Sequence, residues 1–393
     1  MADLAALLRD GAAKHAAGDL AGAAACYHAV LRAAPREPNA HNLLGVIARQ
    51  QGDLPAALRH TEQALAAAPA QPAFLANRGA TLAEAGRLIE GISLLRAALE
   101  RRPDDAVALR NLGQAFAALG DAAAAIAPLE RAAALTPNAA EPLLALAHAR
   151  REMGDAEGAR QAAAAVQAQG PGPFAEQAGF LLAALGAGPV PDRAPASYVR
   201  DLFDQFAPRF ERSLAALEYR TPGLIAEALT VAGLVTARRL RVLDLGCGTG
   251  LSGAALAPFA RRLEGLDLSP RMLGEARKRG LYDALHEADL LDWLPGRAGG
   301  FDLIVAADVL NYFGDLGPAL AAMGAALAPG GCLAFSVEAG AGAPFALGEG
   351  LRYRHDPAAI RALLGPGLRV AQPAVLRQEQ GAPVDGVIFV AGG

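Results

Sequence analysis

The chain has 393 residues, 53% of them hydrophobic and 5% aromatic, with a formal net charge of −4. That length exceeds one ordinary domain, and the interspersed charges exclude a nucleic-acid-binding stripe or a disordered acidic tail. Cys26, Cys247 and Cys332 match no metal or redox spacing, no charge-free apolar run is long enough to span a membrane, and MADLAALLRDGAAKH is no signal peptide, so a reduced, cytoplasmic chain without membrane contact is expected.

In the first half, three sets of residues recur every 34 positions. Gly18, Gly52, Gly86, Gly120 and Gly154 are followed by Asp19, Asp53, Arg87, Asp121 and Asp155. Pro35, Pro69, Pro103, Pro137 and Pro171 form the second set, and Gly11, Gly45, Gly79 and Gly113, with Ala147 in the fifth place, the third. The pattern predicts pairs of helices. The Gly-Asp step turns the chain, and proline ends the second helix because it cannot continue the hydrogen-bond ladder. The third set lets helices cross closely.

This period is similar to that of tetratricopeptide (TPR) repeats. The resemblance implies an all-α solenoid of five repeats from about residue 4 to residue 169, with a concave groove that takes a peptide or protein. A helix expected over 174–185 would cap the last repeat, since a solenoid must cover its open apolar end. Asn77 and Asn111 share a repeat position, and Asn42 lies one residue off register. A ladder of amides suits an extended peptide, because each can donate and accept. Arg110 is a further groove candidate, with Arg78 and Gln114 nearby.

Residues 186–197 are rich in Gly, Pro and Ala and lack periodicity, which predicts a stiff linker. The expected domains are therefore a solenoid over 1–188, a linker over 189–197 and a second domain over 198–393. That domain opens with Phe203, Phe206 and Phe210 on one helical face, as core packing or as a lid.

Residues 241–250 read RVLDLGCGTG, a buried strand entering a glycine turn before a helix at Leu251. Glycines at 246, 248 and 250 let a ligand approach the backbone at the strand's carboxyl end. A dinucleotide fingerprint would need Gly at 251, which is Leu. The order Asp-x-Gly-x-Gly-x-Gly, beginning at Asp244, resembles motif I of class I S-adenosylmethionine (SAM) methyltransferases. The resemblance implies a Rossmann-like, seven-stranded α/β domain, with SAM held around Asp244, Gly246, Cys247, Gly248 and Gly250.

Downstream residues extend this reading. Asp267 ends the next apolar alternation, where a carboxylate can accept from both ribose hydroxyls. Leu268 follows it, and Met272 lies where it would touch adenine or pack the core. Asp289 and Leu290 match by position the acid and backbone N–H that meet adenine in the family. The run FDLIVAAD over 301–308 reads as a central parallel strand. It brings Ala307, Asp308 and the nearby Asn311 to where methyl donor and acceptor meet. Further carboxylates that would hold a metal are missing there, so no metal is expected. Strand 5 is expected over 330–338, and strands near 368–372 and 387–390 as an antiparallel edge. Between them, Arg352-Tyr353-Arg354-His355 matches the family pattern in part. His355 is a candidate general base, since its ordinary pKa lies near neutrality, and Tyr353 a candidate for orienting a substrate.

The segment Tyr198-Val199-Arg200 to Phe210, with Tyr219-Arg220 and Pro222, narrows the resemblance to bacterial methyltransferases that carry N-terminal TPR repeats. The resemblance implies a SAM-dependent methyltransferase whose repeats recruit a peptide or protein substrate or partner. The alternatives are a small-molecule methyltransferase that uses the repeats for docking, and a non-catalytic SAM-binding scaffold.

Overall fold

The computed structural model describes residues 3–379 and 381–392. It divides between Gly170 and Pro171 into two compact units. Among the described residues no helix is long and apolar enough to cross a membrane.

The first unit holds five helix pairs: α1 (Leu4–Ala16) with α2 (Leu20–Ala33), α3 (Pro38–Gln50) with α4 (Leu54–Ala67), α5 (Pro72–Glu84) with α6 (Leu88–Arg101), α7 (Ala106–Leu119) with α8 (Ala122–Leu135), and α9 (Ala140–Glu152) with α10 (Ala156–Gln167). Each corner within a pair is built alike. Gly18, Gly52, Gly86, Gly120 and Gly154 have φ between 77° and 87°, a left-handed backbone that suits glycine. The aspartate that follows caps the next helix. Asp19, Asp53, Asp121 and Asp155 accept from the N–H three residues on at 2.8–3.0 Å. Arg87 stands in this place in the third repeat and gives no side-chain cap.

Where paired helices cross, the third glycine set is required. A Cβ on Gly113 would collide with Leu129 Cγ, and one on Gly11 would lie 2.5 Å from Tyr27 Cε1. Gly113→Ala is therefore expected to cost about 1–3 kcal/mol through forced repacking. Denaturant unfolding of the first unit reads this, and an unchanged midpoint would remove close packing as the reason for glycine there.

The second unit begins with α11 (Pro173–Ala184), α12 (Ala196–Phe206), α13 (Phe210–Ala216) and α14 (Thr221–Val231). The alternating region follows: β1 (Leu240–Leu245), α15 (Leu251–Leu256), β2 (Ala260–Asp267), α16 (Pro270–Arg279), β3 (Ala284–Glu287), α17 (Leu290–Trp293), β4 (Phe301–Ala306), α18 (Gly317–Ala326) and β5 (Leu327–Ala339). The chain then adds β6 (Phe345–Leu347), β7 (Tyr353–His355), α19 (Pro357–Leu364), β8 (Leu368–Glu379) and β9 (Ala382–Gly392). Strand order is β3-β2-β1-β4-β5-β7-β6, with β9 antiparallel to β5 and β8 antiparallel to β9. Strands β1 to β5 run parallel, as expected of a Rossmann-like sheet. Alternate residues fill two apolar layers. Leu243, Leu245, Ile304 and Phe335 point to one face, and Val242, Leu303, Val305 and Ala334 to the other. The order reverses between β1 and β4, which opens a crevice at their carboxyl ends.

Three features differ from the sequence reading. Helix α11, expected to cap the solenoid, belongs to the second unit. Its Phe180 ring lies 5.2 Å from Tyr198 and 6.1 Å from Tyr353, and Gln177 donates to Asp201 at 2.9 Å. The seven expected strands are joined by a short hairpin, β6–β7, in a segment to which the sequence reading gave no strand. The expected linker is a pinned strap. Pro191 O accepts from the Tyr353 hydroxyl at 2.6 Å, Asp192 O accepts from Gly314 and Asp315, and Ala194 N–H donates to Tyr312 O at 2.8 Å.

Candidate active site

The glycine turn leaves β1 at the crevice. Gly246, Gly248 and Gly250 have φ of 59°, 53° and 89°, where side chains are disfavoured. A Cβ on Gly246 would collide with Val309 Cγ2, and one on Gly250 would stand 2.9 Å from Arg279 Cδ. The fully buried Asp244 ends the strand below them. Its Oδ2 accepts from the Tyr282 hydroxyl at 2.6 Å, while Oδ1 has no partner. Burial pushes this carboxyl up to about 7, the Tyr282 hydrogen bond opposes that, and the Asp267 charge adds to it. Cys247 is buried and its N–H donates to Leu266 O at 3.0 Å, tying the turn to β2. Burial raises its thiol pKa, so it is inert packing beneath the turn.

Asp267 ends β2 beside the turn. Its Oδ2 accepts from Gly248 N–H at 2.9 Å and its Oδ1 from Ser269 N–H at 2.8 Å. Loss of water pushes its pKa up to about 6 against these two donors. Leu268 O accepts from Arg200 Nε at 3.3 Å. Met272 is wholly buried on α16, its N–H capped by Ser269 Oγ, so it is a core residue and not a crevice wall. Asp289 starts α17, with Leu291 N–H donating to its Oδ1. Arg193 of the strap places Nη1 at 3.1 and 3.0 Å from its two oxygens. Leu290 behind it is buried, as is Ala307 at the end of β4.

Helices α12 and α13 cross this region. Asp204 accepts from Ser269 Oγ at 2.6 Å, and Arg279 joins Thr249 O at 2.7 Å to Glu211 at 2.6 Å. The three phenylalanines do not share one helix. Phe206 ends α12, Pro208 lies in the break, and Phe210 starts α13. Phe203 meets Phe210 and Tyr312 edge-on, at 6.0 and 5.6 Å between centroids. The rings thus pack α12 against α13 and the segment after β4.

At the exit of β4, Asp308 has φ of 56°, a left-handed conformation that Asp tolerates better than most residues. Its N–H donates to Ser336 Oγ and its Oδ1 accepts from the same hydroxyl, both at 2.8 Å. Thr221 Oγ1 donates to Oδ2 at 3.0 Å. Asn311 is 1% exposed and its Oδ1 accepts from Glu338 N–H at 3.1 Å, so it is a buried strut rather than a reactive group. Behind them lies a buried ionic cluster that the sequence reading missed. Arg377 bonds Glu338, reaches Glu379 at 2.7 Å, and has Asp308 at 4.0 Å. Arg352 bridges the same two glutamates at 2.8 and 2.6 Å.

His355 and Tyr353 lie away from the crevice, on β7. His355 is 1% exposed, and its Nε2 contacts Phe313 O and Gly314 O at 2.8 and 3.1 Å. Burial lowers its pKa, and its Nε2 is taken up by two backbone carbonyls. Tyr353 is fully buried and holds the strap. Pairing of β7 with β5 buries both residues, which removes the general-base and substrate-orienting roles expected of them. Among the described residues no group of three or more His, Cys, Asp or Glu side chains is placed to hold a metal.

In the first unit, Asn77 donates to Asn42 Oδ1 at 2.9 Å, and Asn42 and Asn111 are buried. The Asn42 and Asn77 amides therefore join neighbouring repeats, and Asn111 is buried, so the three form no open ladder. Arg110 pairs with Glu141 at 2.7 Å, as Arg49 does with Glu84 at 2.6 Å, linking successive first helices of the pairs.

Parts of the chain are similar to known proteins. Residues 243–333 match the methyltransferase domain family, and residues 11–72 and 72–138 match tetratricopeptide repeat families. Similar curated proteins include human methyltransferase-like protein 27, 36% identical over 31% of this chain and 49% of its own. Trans-aconitate 2-methyltransferase of Pseudomonas aeruginosa is 41% identical over 24% of this chain and 34% of its own. Ubiquinone biosynthesis O-methyltransferase of Methylocella silvestris is 29% identical over 37% and 60%. The chain thus spans between a third and three fifths of the length of these relatives. Among solved structures, Pseudomonas aeruginosa pilF aligns at 22% identity over 46% of this chain and 82% of its own, with a TM-score of 0.41.

Proposed function

We propose that this chain, which joins tetratricopeptide repeats to a methyltransferase domain, is a SAM-dependent methyltransferase whose repeats recruit a peptide or protein substrate or partner. The observation that carries this reading is the pair of carboxylates, Asp244 and Asp267, flanking a turn of three left-handed glycines. Bound SAM would supply a methyl carbon activated by the neighbouring sulfonium. The residues present fit such a cofactor. Asp244 Oδ1 and Thr249 Oγ1 are buried without partners at the turn, and the unmet carboxylate oxygen calls for a cationic donor such as an α-ammonium. Asp267 keeps lone pairs for vicinal hydroxyls beyond its two backbone donors. We read Asp289, held here by Arg193, as the acceptor for the adenine amino group from its position after β3.

Methyl transfer from a sulfonium depends on alignment and exclusion of water, and a strong base is not always required. The roof of α12 and α13 supplies the exclusion, and Asp308, steadied by Ser336 and Thr221, lines the acceptor end. A second reading keeps the cofactor but makes the acceptor a small molecule. Two relatives named for small-molecule chemistry support it.

The test incubates the full chain with methyl-labelled SAM and extract of its own cells, then separates macromolecules from small molecules. Label in a protein band, absent with Asp267→Ala, is expected under the first reading. Label confined to the small-molecule fraction would replace it with the second, and label in neither fraction would overturn both.

A further inference from the structure

Tyr282 donates to Asp244, and the fold makes room for its ring on three elements. It lies between α16 and β3. A Cβ on Gly253 of α15 would collide with its hydroxyl, one on Gly265 of β2 would stand 3.0 Å from its Cδ1, and one on Gly250 of the turn 3.1 Å from its Cε2. Its neighbour Asp283 is clamped to β2 in both directions, accepting from Leu263 N–H and donating its own N–H to Leu263 O, each at 2.8 Å. The ring therefore has one place to go, and its hydroxyl ends 2.6 Å from Asp244 Oδ2. The Gly253 backbone bonds the same phenol oxygen.

We infer that Tyr282 is the positioning residue of the cofactor site, holding Asp244 by one oxygen so that the other faces the ligand as a carboxylate. This rests on the SAM reading above. Geometry supplies the orientation: with Oδ2 fixed, Oδ1 is the one acceptor of Asp244 left unmet. The charge follows from the same bond. The groups facing Asp244 are Asp267, Cys247 and Tyr282. Burial and the Asp267 charge favour its neutral acid, and the Tyr282 donor favours the ion. Burial raises the pKa of the phenol, so it stays a donor over the whole working range.

Tyr282→Phe keeps the ring in its slot and removes the hydroxyl alone. Loss of one donor is expected to move the Asp244 titration up by about one unit or more. Carbon-13 NMR of the Asp carboxyls in the cofactor-free chain reads this directly, with Asp244→Asn identifying the signal. SAM affinity by calorimetry should then fall about fivefold at pH 7 and less than about twofold at pH 9, where both proteins are ionised. In the Asp244→Asn background the same change should have almost no effect. An unmoved carboxyl titration, or an equal loss at every pH and in both backgrounds, would overturn the inference and leave Tyr282 a packing residue. If the wild-type chain bound no SAM, the cofactor reading would fail, while the carboxyl titration would still decide the role of Tyr282.

Discussion

Asp267→Ala is expected to weaken SAM binding by about 100-fold or more, because it deletes an acceptor for two hydrogen bonds to a charged group, each worth about 1.5–3 kcal/mol. The same carboxylate receives the N–H groups of Gly248 and Ser269, so its loss also releases the turn and the start of α16. Asp267→Asn keeps one acceptor oxygen and should fall between the two. Because burial lifts the wild-type carboxyl to about 6, affinity should also decline as pH drops below that value. Calorimetry from pH 5 to pH 8 measures both effects. If Asp267→Ala bound SAM as tightly as wild type, the ligand would lie elsewhere and the ribose assignment would be wrong.

Asp244→Asn should do two opposite things: abolish most cofactor affinity, yet stabilise the cofactor-free protein at neutral pH and above. The wild-type carboxyl titrates at 3.8 in the unfolded chain and at about 7 when folded. Below 3.8 it is neutral in both states and costs nothing. As pH rises the unfolded chain ionises first, so the native state loses stability until the folded group also ionises near 7. The full shift corresponds to about 4 kcal/mol. Asn does not titrate, so its stability relative to wild type should rise by about 2–3 kcal/mol between pH 5 and pH 8. Denaturant unfolding of the second unit at both pH values reads this difference. A constant difference would mean that Asp244 ionises at an ordinary pKa and is not held in a water-free site. Such a residue is kept at a cost in stability, as expected where a ligand must meet a buried charge.

The parts legible from sequence are those in which one local constraint fixes one residue type. A left-handed corner calls for glycine and a helix start for a short acceptor, so the period of Gly18 and its successors marked all five pairs, with the acceptor missing only at Arg87. The glycine turn and the acids at the ends of β1, β2 and β3 were legible for the same reason. Residues whose role depends on distant partners were not. Helix α11 is apolar enough to cover a solenoid or a sheet, and nothing in its own sequence chooses between them. The strap carries Pro, Gly and Ala like a free linker, but its carbonyls meet donors more than a hundred positions away. His355 stood between expected strands as a candidate base, and its place on β7, paired with β5, leaves it 1% exposed. Arg377, Glu338, Arg352 and Glu379 come from β5, β8 and the approach to β7, and no spacing announces them. Asn77 and Asn111 share a repeat position, but Asn77 donates to Asn42 of the preceding repeat and Asn111 is buried.

The most direct test of the cofactor site is a calorimetric titration of SAM into the full-length chain at pH 8, repeated with NAD and with Gly246→Ala. The account predicts one SAM per chain, no displacement by NAD, and loss of binding in the variant, whose added Cβ would meet Val309. Binding of NAD in place of SAM, or binding of SAM unaffected by Gly246→Ala, would contradict it.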